Sequence, residues 1–145
     1  MRAPACRGAD LAISAERHSS IGAGGTIYTR LFLTNESRAA CTVGGVPKVV
    51  GFGRDGKAIE TAEPYPALRP GSSGRRLRVR LGPGESARFL VSHYDGIGAG
   101  RCRIASTSGL RVTIPGTGAR GIVRPPMGYC PKPGAGLGLR VGRIE

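Results

Sequence analysis

The sequence predicts an all-β fold: a two-sheet sandwich in a single domain. Three observations carry this prediction. Apolar and polar residues alternate at every second position in short runs, Gly and Pro cluster between those runs, and no long segment has a helical period. With 25 glycines and 11 prolines in 145 residues, composition alone leans towards low complexity. Distribution decides otherwise, because these residues fall where turns are needed. One domain over 1–145, with an ordered core over 6–141, fits the length.

Taken in order, Asp10 to Ala15 reads as a first strand with Leu11 and Ile13 on one face, and Ile21 to Gly25 as a turn. Thr26 to Thr34 is the strongest strand. Ile27, Thr29, Leu31 and Leu33 face one way, Tyr28, Arg30 and Phe32 the other, and bulk on both faces suits a central position. Asn35-Glu36-Ser37 turns the chain; it also spells a glycosylation sequon, read here as a turn. An extended arm follows from Cys41 to Phe52, with a bend expected at Gly44-Gly45 and Pro47. Asp55-Gly56 marks a hairpin into a short strand from Lys57 to Thr61, and 63–74 reads as loop. Arg76 to Leu81 alternates strictly, and Gly82-Pro83-Gly84 turns again. Ser86 to His93 is ambiguous, since Ala87, Leu90, Val91 and Tyr94 also fit a helical face; its neighbours favour a strand. Asp95 to Gly100 is a glycine-rich connection. Leu110, Val112 and Ile114 form a half-buried strand, 117–136 reads largely as loop pinned by Cys130, and Leu137, Leu139 and Val141 close the fold. About eight short strands result.

Cys6, Cys41, Cys102 and Cys130 stand far apart, and neither His18 nor His93 lies near any of them. Zinc sites usually draw their first two ligands from one tight turn, so the spacing favours two disulfides over a metal, with three connectivities open. Disulfides persist in oxidising compartments, which makes the chain secreted or envelope-associated. No apolar stretch follows Met1-Arg2, so this reading expects an export signal outside the given sequence. No segment approaches the roughly 18 apolar residues of a membrane span.

Lys and Arg together number 22 against 9 Asp and Glu, a net charge of +13. Such an excess favours polyanionic partners. Its sharpest local form is Arg76-Leu77-Arg78-Val79-Arg80-Leu81. On a strand, Leu77, Val79 and Leu81 enter the core and leave Arg76, Arg78 and Arg80 as a cationic row, with Arg69 and Arg75 in the preceding loop. Guanidinium forks bind phosphate and carboxylate bidentately, which makes these five arginines the candidate ligand-binding residues. Charges on an outer face also guard a strand against edge pairing, so solubility alone is a competing explanation.

Other motifs carry little chemistry. Gly51-Phe52-Gly53-Arg54-Asp55-Gly56-Lys57-Ala58 nearly spells a phosphate loop, but Ala58 removes the Mg²⁺-binding hydroxyl and Asp55-Gly56 makes a hairpin. Neither Gly96–Gly100 nor Gly134–Gly138 completes a dinucleotide motif. His93 and Asp95 are close, yet there is no G-x-S-x-G elbow, and no carboxylate pair is nominated. No catalytic residue, cofactor or metal is expected.

The order Cys6, Asp10-Leu11, Gly24-Gly25-Thr26, Leu33-Thr34-Asn35 and Cys41-Thr42-Val43-Gly44-Gly45-Val46-Pro47 resembles a family of secreted and lipid-anchored actinobacterial proteins. Asp55-Gly56, Leu81-Gly82-Pro83-Gly84-Glu85-Ser86-Ala87, Cys102, Leu110-Arg111-Val112 and Cys130 continue the likeness. That family is the domain of unknown function 4232. The resemblance implies an immunoglobulin-like sandwich outside the cytoplasm, with disulfides Cys6–Cys41 and Cys102–Cys130. It implies no activity, and it does not account for the basicity of this chain.

The function expected is therefore a non-catalytic binding module. Its partner is an anionic cell-envelope polymer or lipid headgroup, or a protein recognised through a strand edge or loops. Nucleic acid is the third class. Charge favours it, but three Phe, four Tyr and no Trp offer few stacking platforms. An enzyme would instead show a cleft holding a perturbed carboxylate or histidine.

Overall fold

The computed structural model describes residues 3–22, 25–65, 78–94, 105–129 and 137–145. These residues are almost entirely β, with one short 3-10 turn at Gly8–Asp10. In chain order the strands are β1 (Leu11–Ala15), β2 (Ser20–Ile21), β3 (Thr26–Asn35), β4 (Cys41–Gly44), β5 (Lys48–Phe52), β6 (Ala58–Thr61) and β7 (Glu63–Pro64). They continue with β8 (Arg78–Leu81), β9 (Ser86–Tyr94), β10 (Ala105–Ser106), β11 (Gly109–Thr113), β12 (Arg120–Val123), β13 (Gly128–Tyr129) and β14 (Arg140–Val141). The strands outnumber the roughly eight expected because several are two-residue pairings too short to leave a pattern in sequence.

Two sheets build the sandwich. The six-stranded sheet runs β1-β3-β9-β14-β7, with β2 also on β3; the four-stranded sheet runs β12-β11-β5-β6. Among the longer strands, β1, β3 and β9 form one layer and β6, β5, β11 and β12 the other, an immunoglobulin-like order. Registers place apolar partners opposite one another. Leu31 pairs with Phe89 and Leu33 with Ala87 in the first sheet, Val49 with Val112 in the second. All of these are buried, together with Val43, Leu81, Val91, Leu110, Leu137, Leu139 and Ile144, so the core lies between the sheets.

The strongest strand of the sequence lies where its pattern predicts. β3 sits between β1 and β9, with Thr29, Leu31 and Leu33 buried and Arg30 exposed. Ser86–Tyr94 is a strand. A helical face would have buried Tyr94, which is 58% exposed, whereas Ala87, Phe89, Val91 and His93 alternate inward. The Cys41–Phe52 arm breaks between β4 and β5 at Gly45, whose φ of +91° suits glycine. Gly56, at φ +79°, turns the β5–β6 hairpin.

Two expectations are corrected. Of the closing strand expected over Leu137, Leu139 and Val141, only Arg140–Val141 is strand. The 117–136 stretch contains β12 and β13, not mainly loop. In β12, Gly121 and Val123 face inward while Arg120 and Ile122 face out, so a glycine holds the place of a core side chain and hides the alternation. Gly121 lies against Ile13, whose Cβ would stand 3.3 Å from an added methyl. This close approach lets β1 pack beside β12.

Asn35, at the end of β3, is fully buried and hydrogen-bonded throughout. Its Nδ2 donates to the Ala39 and Leu81 carbonyls at 2.9 and 3.0 Å, and its Oδ1 accepts from the Ser37 amide at 3.0 Å and hydroxyl at 2.7 Å. The sequon asparagine is thus a turn hub whose amide faces the interior. Nearby, Cys6 and Cys41 form a buried disulfide closing a separation of 35 residues. The amide of Cys6 donates to Thr42 and that of Thr42 to Pro4, tying the first described residues to β4. The second expected pair, Cys102 and Cys130, lies outside the described residues.

Candidate functional site: two basic faces

Exposed basic residues are spread over the surface, and strand alternation groups five of them on two faces. The first is the ribbon in which β8 pairs with β4. Leu81 is buried and Val79 half-buried, so Arg78 and Arg80 point outward and are exposed, as their spacing predicts. Arg78 reaches across to Thr42, its Nη2 lying 3.3 Å from the carbonyl oxygen and 3.2 Å from the hydroxyl. Arg69, Arg75 and Arg76 lie outside the described residues.

The second surface is the outer face of the four-stranded sheet. Val49 and Gly51 of β5 and Leu110 and Val112 of β11 turn inward, which leaves Lys48, Arg111 and Thr113 outside, beside Arg120 and Ile122 of β12. Thr113 pairs with Lys48 on one side and Arg120 on the other, while Arg111 pairs with Val50 and Ile122. These residues line a shallow open concavity of about 790 Å³, and no carboxylate is among its described lining residues. At its flank, Arg111 lies over the Phe52 ring with its Cζ 4.4 Å from the centroid, and Arg124 approaches the same ring at 5.8 Å. Arg111 Nη2 also donates to the Gly56 carbonyl at 2.7 Å.

Sequence reasoning missed this face because its cations come from three strands far apart in the chain. Lys48, Arg111 and Arg120 each follow or precede ordinary core residues, and no local run announces them. The basic row of β8 stands out in sequence because its charges are consecutive on one strand.

The histidine, the glycine loop and the carboxylates weighed as chemistry in the sequence lie as follows. His93 is buried on β9, opposite Ile27. Gly51 to Ala58 is a hairpin, closed by the Gly53 amide on the Lys57 carbonyl, with no helix to cradle phosphate. Glu60 and Glu63 line a concavity of about 240 Å³. Glu60 accepts from the Leu139 amide, and Glu63 pairs with Arg140 at 3.9 Å. Among the described residues, no three His, Cys, Asp or Glu side chains come together as a metal site.

No curated protein matches the chain. The family described as "Domain of unknown function (DUF4232)" matches residues 6–142, nearly the whole length and both ends of the Cys6–Cys41 bridge, and the chain belongs to that family.

Proposed function

We propose that this domain is a non-catalytic binding module that works outside the cytoplasm and takes an anionic cell-envelope component as its ligand. The observation that carries this reading is unneutralised charge. The chain carries +13, and among the described residues a single ion pair, Arg140–Glu63, draws a cation and an acid together. Lys48, Arg78, Arg80, Arg111 and Arg120 are all exposed with no acidic partner among those residues. Clustered like charge opposes the compact state, so its retention favours a role in attracting an opposite charge. The Cys6–Cys41 disulfide fits an oxidising compartment.

Co-sedimentation of the oxidised domain with isolated cell envelope, at low and high salt, tests the reading. Retention that falls steeply as salt rises is expected. Retention by neither envelope nor any other anionic material at low salt would remove it.

A further inference from the structure

The two basic faces differ in what their charges can be for. Among the described residues β8 is hydrogen-bonded to β4 alone, so Arg78 and Arg80 sit on a two-stranded ribbon where protection against edge pairing is a sufficient reason for charge. Edge protection does not account for Lys48 or Arg111, although Arg111 also covers the Phe52 ring. β5 and β11 are the two central strands of their sheet, paired on both sides, and a charge there guards no edge.

The registers fix how the cations lie. Arg111 pairs with Val50 and Ile122, so Lys48 and Arg120, each two residues along, are its diagonal neighbours. Diagonal neighbours stand about 7–8 Å apart. Lys48 and Arg120 are two strands apart, on the order of 10 Å. Thr113 lies between them in register with both, and its hydroxyl belongs to the same exposed face. The result is a triangle of residues with the Thr113 hydroxyl between Lys48 and Arg120 and the Arg111 guanidinium leaning away over Phe52, all three cations lining one concavity of about 790 Å³. No carboxylate is among the described residues of this lining.

Resting on the anionic-ligand reading above, we infer that Lys48, Thr113 and Arg120 of this triangle seat one phosphate of a phosphodiester polymer that lacks bases, with the chain running on past Ile122 towards Arg111 and Arg124. Donors arriving from three strands and a central hydroxyl suit a tetrahedral oxyanion better than a planar carboxylate, which is met best by one guanidinium fork in its own plane. A concavity accepts a chain lying in it, whereas a bilayer surface rests on a convex or flat face. Single-stranded nucleic acid is held in part by aromatic faces on which its bases stack. The Phe52 ring is covered by Arg111, and the exposed Tyr94 belongs to the other sheet.

The test is titration of the full oxidised chain with fluorescent poly(glycerol phosphate) at several salt concentrations. Single-stranded DNA, polygalacturonate and phosphatidylglycerol vesicles run as parallel probes. Lys48→Gln/Arg120→Gln removes two corners of the triangle and leaves Arg111 over Phe52. Lys48→Gln/Arg111→Gln/Arg120→Gln removes all three, and Arg78→Ser/Arg80→Ser alters only the other face. The expected result is salt-dependent binding of poly(glycerol phosphate), weakened about tenfold or more in the double variant, with a flatter salt slope. The β8 variant keeps near wild-type affinity. If the β8 variant alone loses binding, or if DNA, polygalacturonate or vesicles bind more tightly than poly(glycerol phosphate), this inference falls and the anionic-ligand reading survives. If the wild type binds none of the four probes, both fall. Thermal melts check folding, and should the triple variant melt early, the double variant decides the outcome.

Discussion

Arg111 lies over Phe52 with its guanidinium carbon 4.4 Å from the ring centroid, and the same side chain donates to the Gly56 carbonyl. Phe52 faces outward from β5 yet is only 6% exposed. An arginine on the neighbouring strand therefore covers an aromatic ring that the alternation of β5 would leave in water. Arg111→Ala is expected to destabilise the fold by about 0.5–2 kcal/mol through lost cation–π contact and stem packing. Arg111→Lys should recover only part of this, because an ammonium cannot stack on the ring and reach Gly56 as a planar fork. Urea unfolding of the two variants checks this, and unchanged midpoints in both would contradict it.

Asn35 anchors the end of β3 to two other segments, through the Ala39 and Leu81 carbonyls. Asn35→Ala leaves both carbonyls and the Ser37 donors without their buried partner. A loss of about 2–4 kcal/mol is expected in chemical denaturation. Ser37→Ala, which removes a more exposed hydroxyl, should cost well under half of that.

The Cys6–Cys41 bridge closes a long loop and is buried at both ends. A Cys6→Ser/Cys41→Ser variant should lose about 3–4 kcal/mol. Complete reduction of the wild type offers a comparison. Any additional loss on reduction, beyond that of the variant, belongs to Cys102 and Cys130 and would report a second bridge.

Gly51 faces the core from β5. A methyl there would meet Leu137 Cδ1 at 2.7 Å and Leu139 Cδ1 at 3.2 Å. Gly51→Ala should therefore overpack the contact between the four-stranded sheet and the 137–139 segment, costing about 1–3 kcal/mol in a thermal or urea melt. A neutral result would mean that this segment yields.

These cases show where the sequence was readable. β3, with a branched residue at every second position, announced both its existence and its inward face, whereas β9 also fitted a helical face and was read as a strand from its neighbours. β12 did not, because Gly121 supplies space where a side chain would have marked the pattern. Two-residue pairings such as β7 with β14 are made by tertiary position, and no local signal encodes them. The basic row of β8 was visible because Arg78 and Arg80 are neighbours on one strand. The triangle of Lys48, Arg111 and Arg120 was not, since it exists only through the registers of β5, β11 and β12. Charge composition motivates the proposed class of ligand, while sheet pairing alone distinguishes a guarded edge from a central face.

The most direct measurement of the proposed binding to an anionic envelope polymer is co-sedimentation with isolated cell walls, compared before and after hydrofluoric acid strips their phosphodiester polymers. The account predicts strong, salt-sensitive retention by intact walls and loss of most of it on stripped ones. Equal retention by both, insensitive to salt, would contradict it.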